Sequence, residues 1–107
     1  MENLLQNTLL YDFYSPLLTQ RQRDIYHMYF FDDMSLAEIS SKLNITRQAV
    51  NFSVKQSQKS LVEFESLLNL VEQHGTVKQH LQGLEAAIGT GDIASSRKIL
   101  QDLTAIF

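Results

Sequence analysis

The chain of 107 residues contains no cysteine, one proline and four glycines. Without cysteine, disulfide bonds, thiolate catalysis and cysteine-ligated zinc are excluded, and a reducing compartment is permitted. So few prolines and glycines leave few places where the backbone must turn sharply, which disfavours a sheet of many strands. We therefore expect an all-α protein built from long helices.

Long apolar runs are also lacking. None approaches the roughly 18 residues of a membrane-spanning helix, and the residues from Met1 to Leu4 lack the cationic segment of a signal peptide. Apolar residues make up 44% of the chain and charged residues 20%, which is typical of a folded core rather than of a disordered chain. These features predict a globular cytoplasmic protein with no membrane partner.

Side chains arranged for catalysis or metal binding are scarce. His74 and His80 are six residues apart, which places them on different faces of a helix, and no zinc-binding pattern surrounds them. The adjacent acids Asp32 and Asp33 are typical of a solvated loop at a helix end. A glycine-rich phosphate loop and a nucleophile elbow are both missing. The sequence predicts no catalytic residue, metal or cofactor, and so no enzyme.

Positive charge is concentrated in the middle of the chain. The net charge is -3, which argues weakly against a nucleic-acid-binding protein. Residues 35–62, however, carry Lys42, Arg47, Lys55 and Lys59 against the single acid Glu38, whereas acids outnumber bases on either side. Charge blocks of this size also arise by chance, so this one alone does not assign a function.

Three helix starts show a hydroxyl residue followed three positions later by glutamine or glutamate, the pattern of reciprocal N-terminal capping. They are Thr19 with Gln22, Ser35 with Glu38, and Thr76 with Gln79. A first, mostly apolar helix, which includes Leu4, Leu5 and Tyr14, should end or kink at Pro16. A second should run from Thr19 to about Phe31, and a short third one from Leu36 to Leu43.

A short turn should connect the third helix to the fourth. Asn44 is suited to a left-handed conformation that closes the third helix, and the Thr46 hydroxyl can cap the next one. Two helices joined by about three residues are typical of a helix-turn-helix. The fourth helix should be long, from Arg47 to about Gln73, with an apolar seam at heptad spacing formed by Val50, Val54, Ser57, Leu61, Phe64, Leu68 and Val71.

Two shorter helices, about 77–88 and 93–107, should follow as an antiparallel hairpin interrupted between Gly89 and Gly91. The predicted architecture is thus a helix-turn-helix bundle of about six helices, with a helix-turn-helix domain over residues 1–72 and the hairpin over residues 73–107. The hairpin could pack on the long helix of its own chain or lie at a dimer interface. A homodimer is expected because the seam and the first helix expose more apolar surface than one chain can cover.

The fourth helix should carry a polar face about 120° from its seam. The amides of its first turn favour a phosphate, Asn51 could hydrogen-bond a base edge, and the lysines could neutralise backbone phosphates. This is the layout of a helix that reads the major groove. The candidate nucleic-acid-binding residues are Ser35, Lys42, Thr46, Arg47, Gln48, Asn51, Phe52, Lys55 and Lys59.

Each of these polar residues also has a simpler interpretation as a solvated side chain, which is the usual state of a polar helix face. Phe52 is the exception, because an aromatic residue is unusual among polar side chains. It could pack against the first helix or a second chain, or it could contact nucleic acid.

The segments around Thr19–Arg23, Ser35–Ile39 and Leu43–Val50 resemble the promoter-reading helix-turn-helix in the fourth conserved region of bacterial sigma factors. A fuller resemblance, extending to Tyr11–Tyr14, is to the YlxM family of small helix-turn-helix proteins that are encoded beside components of the bacterial signal recognition particle. Sigma factors commonly have arginine at the positions of Ala49 and Asn51, so reading of a sigma-type promoter is not implied.

Two hypotheses about function follow. The first is a dimeric regulator that binds duplex DNA through its fourth helix. The second, implied by the YlxM resemblance, is a non-enzymatic adaptor in which the same cationic helix contacts the RNA or a protein of the signal recognition particle. The shared fold does not distinguish between them.

Overall fold

The computed structural model describes the backbone of residues 2–107 and the side chains of residues 6–107. Over this range the chain forms six α-helices and no strand, which confirms the all-α prediction. The helices are α1 (Glu2–Tyr14), α2 (Gln20–Phe30), α3 (Leu36–Leu43), α4 (Arg47–Leu68), α5 (Leu70–Gly89) and α6 (Ile93–Ile106). A 3-10 turn, Ser15–Leu17, follows α1 at Pro16, as predicted. The predictions for Leu4 and Leu5 lie outside the described side chains.

The chain divides into two compact units, Met1–Leu68 with α1 to α4 and Asn69–Phe107 with α5 and α6. In the first unit, α4 packs against α1, α2 and α3. Ile25, Ile39, Val50 and Val54 form the centre of its core. Each such side chain contributes roughly 1.5–3 kcal/mol by leaving water. This core fixes the third and fourth helices relative to each other.

A second group of side chains holds α1 against the far half of α4. Tyr14 is buried, its ring centroid lies 6.0 Å from that of Phe64, and its hydroxyl donates to the carboxylate of Glu65. Tyr11, also on α1, stacks on Tyr26 of α2 with ring centroids 4.9 Å apart. The long helix is therefore fixed to the bundle along most of its length.

The predicted end of the fourth helix was wrong. The helix stops at Leu68 because Asn69 takes a left-handed conformation with φ of 56°. The next helix then runs through Gly75, and Thr76 does not cap a helix start but donates its hydroxyl to the carbonyl of Glu72 at 3.1 Å. An asparagine can therefore end a helix by itself, whereas a glycine inside one costs only about 1 kcal/mol and need not end it.

The apolar seam is covered within the chain over its first half. Val50, Val54, Ser57 and Leu61 are buried against α1, α2 and α3, whereas Leu68 is 50% exposed. The last predicted member, Val71, lies beyond the break at Asn69. The buried half of the seam is therefore not available to a second chain, and any dimer must use a different surface.

The second unit is a hairpin of the two helices that the sequence predicted, with the first of them longer at its start. A tight turn joins them, in which Gly91 has φ of 74° and the Asp92 carboxylate accepts from the Ser95 amide at 3.0 Å. This hydrogen bond and a second one from the Ser95 hydroxyl lower the pKa of Asp92. Neither helix of the hairpin contains a buried residue.

Candidate nucleic-acid interface

The shorter of the two helices at this candidate interface, α3, starts at a complete capping box. The Ser35 hydroxyl accepts from the Glu38 amide at 3.0 Å, and the Glu38 carboxylate accepts from the Ser35 amide at 3.0 Å. The hydrogen bond from the Ser35 amide is the main cause of the lowered pKa of Glu38. The predicted start of this helix is therefore confirmed, and the capped carboxylate stays ionised at neutral pH.

The turn between α3 and α4 consists of Asn44, Ile45 and Thr46. Asn44 is left-handed with φ of 56°, as predicted, and the Thr46 hydroxyl accepts from the Ala49 amide at 3.0 Å. Ser40 holds the turn from inside α3, since its carbonyl accepts from the Ile45 amide and its hydroxyl donates to the Ile45 carbonyl. The angle at which α4 leaves α3 is thus fixed by local hydrogen bonds as well as by the core.

A surface concavity of about 550 Å³ opens between the first halves of α3 and α4. Its lining includes Arg47, Gln48 and Asn51 from the predicted set, together with Leu36 and Ser40. The periodic pattern of the sequence assigned Leu36 to the core, and it is half-buried. Ser40 was not anticipated, because a serine inside a short helix gives no signal until its contact with Ile45 is known.

The polar face of α4 is exposed as predicted, on the side of the helix away from its buried residues. Arg47, Gln48, Lys55 and Lys59 are exposed, and Asn51 is half-buried in the concavity. From Arg47 to Lys59 the face extends about 18 Å at the rise of an α-helix. Its cations are Arg47 at the start of this length, and Lys55 and Lys59 one turn apart at its end.

The remaining predicted site residues lie around this face. Ser35, Lys42 and Thr46 are exposed at helix ends and do not line the concavity. Phe52 is 69% exposed, so the interpretation in which it packs against the first helix is wrong. Two interpretations of this exposed aromatic ring beside lysines remain, contact with a second chain and contact with a nucleic-acid base.

Within residues 2–107, no helix is long and apolar enough to cross a membrane. The described part of the chain also contains no cluster of three or more histidines or acids that could hold a metal ion. His27 lies within ion-pairing distance of Asp32, with its Nδ1 3.1 Å from the Asp32 Oδ2.

A short helix and a long helix that share a core and are joined by a three-residue turn define a helix-turn-helix protein. The comparisons with known proteins agree. Residues 1–101 match the model of the family UPF0122, described as "Putative helix-turn-helix protein, YlxM / p13 like". The chain belongs to this family, which is described as a helix-turn-helix family and not as an enzyme family.

Relatives named as members of the same family cover most of the chain. The UPF0122 protein of Symbiobacterium thermophilum is 36% identical over 105 residues, 98% of each chain. That of Thermoanaerobacter pseudethanolicus is 44% identical over 87 residues, 81% of this chain and 74% of the relative. That of Shouchella clausii is 33% identical over 102 residues, 95% of this chain and 94% of the relative.

Proposed function

We propose that this chain is a non-enzymatic, cytoplasmic regulatory protein that binds duplex DNA by placing α4 in the major groove. The observation that carries the proposal is the exposed face of α4, where Arg47, Gln48 and Asn51 line a concavity beside the capped start of α3. Arginine, glutamine and asparagine are the side chains that hydrogen-bond base edges and phosphates most effectively.

Each part of the face has a distinct role in this proposal. The first turn of α4, with Thr46 and Arg47, holds a phosphate, because its amides lack partners within the helix. Gln48 and Asn51 contact base edges, and each well-formed bidentate contact contributes roughly 1–3 kcal/mol of discrimination. Lys55 and Lys59 neutralise phosphates further along, while Ser35 and Lys42 contact the backbone that flanks α3.

The dependence of binding on salt tests the phosphate contacts. The affinity for duplex DNA is measured against salt concentration for the wild type and for Arg47→Ala, Lys55→Ala and Lys59→Ala. Each variant should reduce the slope of log affinity against log salt by about 0.9, the value for one phosphate contact on B-DNA. The matched control is Lys78→Ala, which removes the same charge from an exposed position on α5 and should leave the slope unchanged.

Selection of a preferred sequence from a random duplex library tests the base contacts. Gln48→Ala or Asn51→Ala should relax the preference at one or two base pairs while the salt slope stays the same. The absence of measurable binding to duplex DNA at low salt would refute the proposal. The proposal would also be refuted if the three α4 variants had the same salt slope as the control Lys78→Ala.

Phe52 favours a second candidate function, binding of a structured RNA in the signal recognition particle pathway. A ring that is 69% exposed among lysines can stack on an unpaired base, and loops of structured RNAs offer such bases whereas duplex DNA does not. Recovery of the nucleic acids and proteins that the wild-type chain retains from a cell extract separates the two functions. Enrichment of RNA that is lost in Phe52→Ala would support the RNA-binding function, and enrichment of duplex DNA by both chains would support the regulator.

A further inference from the structure

The hairpin of α5 and α6 lacks a core of its own. Its helices have 20 and 14 residues, and none of these is buried. Units below about 40 residues usually need disulfides, metals or oligomerisation to be stable. The chain has no cysteine, and its described residues contain no cluster of metal ligands. Packing against a further surface, in this chain or in another one, is the remaining means of stabilising this unit.

The two helices of the hairpin are in a defined register. Gly83 lies so close to α6 that a Cβ on it would be 3.5 Å from Cδ1 of Ile99. Gln79 and His80 lie beside Ile99 and Asp102 on the same side of the hairpin. The contact between Gly83 and Ile99 sets the register of the two antiparallel helices. In this register Leu81 lies at the same height along the hairpin as Leu100, and Ile88 at the same height as Ile93.

Exposed apolar side chains gather on the other side of the hairpin. His80 and Ala87 on α5, and Ile99 and Ile106 on α6, are half-buried between the helices. A step of one residue turns about 100° around a helix. Because the two helices are antiparallel, the residues one position after these four all point to the same side of the hairpin. These residues are Leu81, Ile88, Leu100 and Phe107. With Ile93 they form the apolar stripe: Leu81 (51% exposed), Ile88 (64%), Ile93 (72%), Leu100 (52%) and Phe107 (87%).

We propose that the apolar stripe is the homodimer interface, where the hairpins of two copies of this chain pack face to face as a four-helix bundle. On each helix the stripe residues repeat every seven positions, the spacing of a bundle core. With a two-fold axis parallel to the helices, α5 of each copy lies over α6 of the other. Leu81 and Leu100 of both copies then form one layer of the core, and Ile88 and Ile93 form the next.

Charge complementarity at the edges of the stripe selects a second copy as the occupant. Glu85 follows Leu81 by one turn on the outer edge of α5, and Arg97 follows Ile93 by one turn on the outer edge of α6. Both are exposed and lie at the same height along the hairpin. The two-fold axis brings Glu85 over the partner's Arg97 and Arg97 over the partner's Glu85. An unrelated partner would have no reason to match this pattern.

Exchange of these two charges tests the proposal in the full-length chain by analytical ultracentrifugation. The wild type should sediment as a dimer at micromolar concentration. Glu85→Arg or Arg97→Glu alone places like charges together and should weaken association by about tenfold or more. The double variant carrying both changes should recover the wild-type dimer to within about threefold. Lys98→Glu is the matched control, because Lys98 lies on the other side of α6 and pairs with Asp102, and it should not change association.

A second pair of variants tests the apolar layers. Leu81→Glu and Ile93→Glu should yield monomers with unchanged helical content by circular dichroism, because both side chains are exposed in the single chain. A wild-type chain that stays monomeric would overturn the inference. A dimer that survives Leu81→Glu and Ile93→Glu would overturn it as well, and so would a double charge variant no stronger than the single ones. None of these outcomes depends on nucleic-acid binding.

Discussion

We expect the buried hydroxyl of Tyr26 to make the helix-turn-helix unit less stable at alkaline pH. Tyr26 is fully buried, and no described residue provides a hydrogen-bond partner for its hydroxyl. Burial, with a smaller contribution from the neighbouring Tyr11, raises the pKa of Tyr26 to about 12. In the unfolded chain the same group titrates near its ordinary pKa of 10.

The sign of the effect follows from proton binding. A raised pKa means that the folded state holds the phenol proton more tightly than the unfolded state does. The stabilisation is therefore complete below pH 10 and is lost as the pH rises from about 10 to about 12. One pKa unit corresponds to about 1.4 kcal/mol, so at pH 11 the wild type should have lost about 1.4 kcal/mol through this group alone.

The variant Tyr26→Phe isolates this contribution, because it keeps the ring that stacks on Tyr11 and removes the ionisable hydroxyl. The free energy of unfolding is measured by urea denaturation of both chains at pH 9 and pH 11, at one protein concentration. Between these values the wild type should lose about 1.4 kcal/mol more than the variant. At neutral pH the variant should be at least as stable as the wild type, because an unpartnered buried hydroxyl costs about 1–3 kcal/mol.

Tyr29→Phe serves as the control for removal of a phenol hydroxyl at a surface position, since Tyr29 is 37% exposed. Parallel loss of stability in the wild type and Tyr26→Phe between pH 9 and pH 11 would refute the reasoning. So would a loss of more than about 1 kcal/mol in Tyr26→Phe at neutral pH, since it would show that the hydroxyl makes a favourable hydrogen bond.

Substitutions at three further positions test the positioning of α3 and α4, each by urea denaturation. Ile39→Ala should lower the free energy of unfolding by about 2–5 kcal/mol, because Ile39 is fully buried between the two helices, and a loss below 1 kcal/mol would contradict that packing. Ser35→Ala should cost about 1 kcal/mol because it removes the hydroxyl that accepts from the Glu38 amide, and a cost below about 0.5 kcal/mol would contradict the capping box. Asn44→Gly should be tolerated, whereas Asn44→Val should cost at least about 1 kcal/mol because of its left-handed conformation, and equal stabilities of the two variants would contradict that conformation.

The sequence predicted those parts of the fold that depend on local interactions. The caps at Thr19, Ser35 and Thr46 and the left-handed Asn44 are contacts between residues a few positions apart, so the residue types alone define them. The seam of α4 was also visible as a periodic pattern. Its partner was not, because the packing of α1 to α3 against it depends on contacts between residues distant in the chain.

The mistaken boundary near Gly75 has the same origin. Asn44 and Asn69 both adopt left-handed conformations that end helices, but only Asn44 stands between an apolar periodic segment and a capping threonine. Asn69 also follows an apolar periodic segment, but no capping threonine or serine comes after it, so the glycine appeared to be the stronger signal. At the site, the exposed side chains were predictable from helical periodicity, whereas the concavity that Ser40 and Leu36 help to line requires the angle between two helices.

The two sides of α4 are under independent constraints. The buried residues of α4 lie on the side packed against α1, α2 and α3, whereas Gln48, Lys55 and Lys59 are exposed. Under the proposed function, substitutions at these outward positions would change the ligand preference and leave the packing of the helix intact. The relatives named above share 33–44% of their aligned residues with this chain. Such relatives can keep the same scaffold and bind different targets. A target established for one relative would therefore have to be tested separately in another.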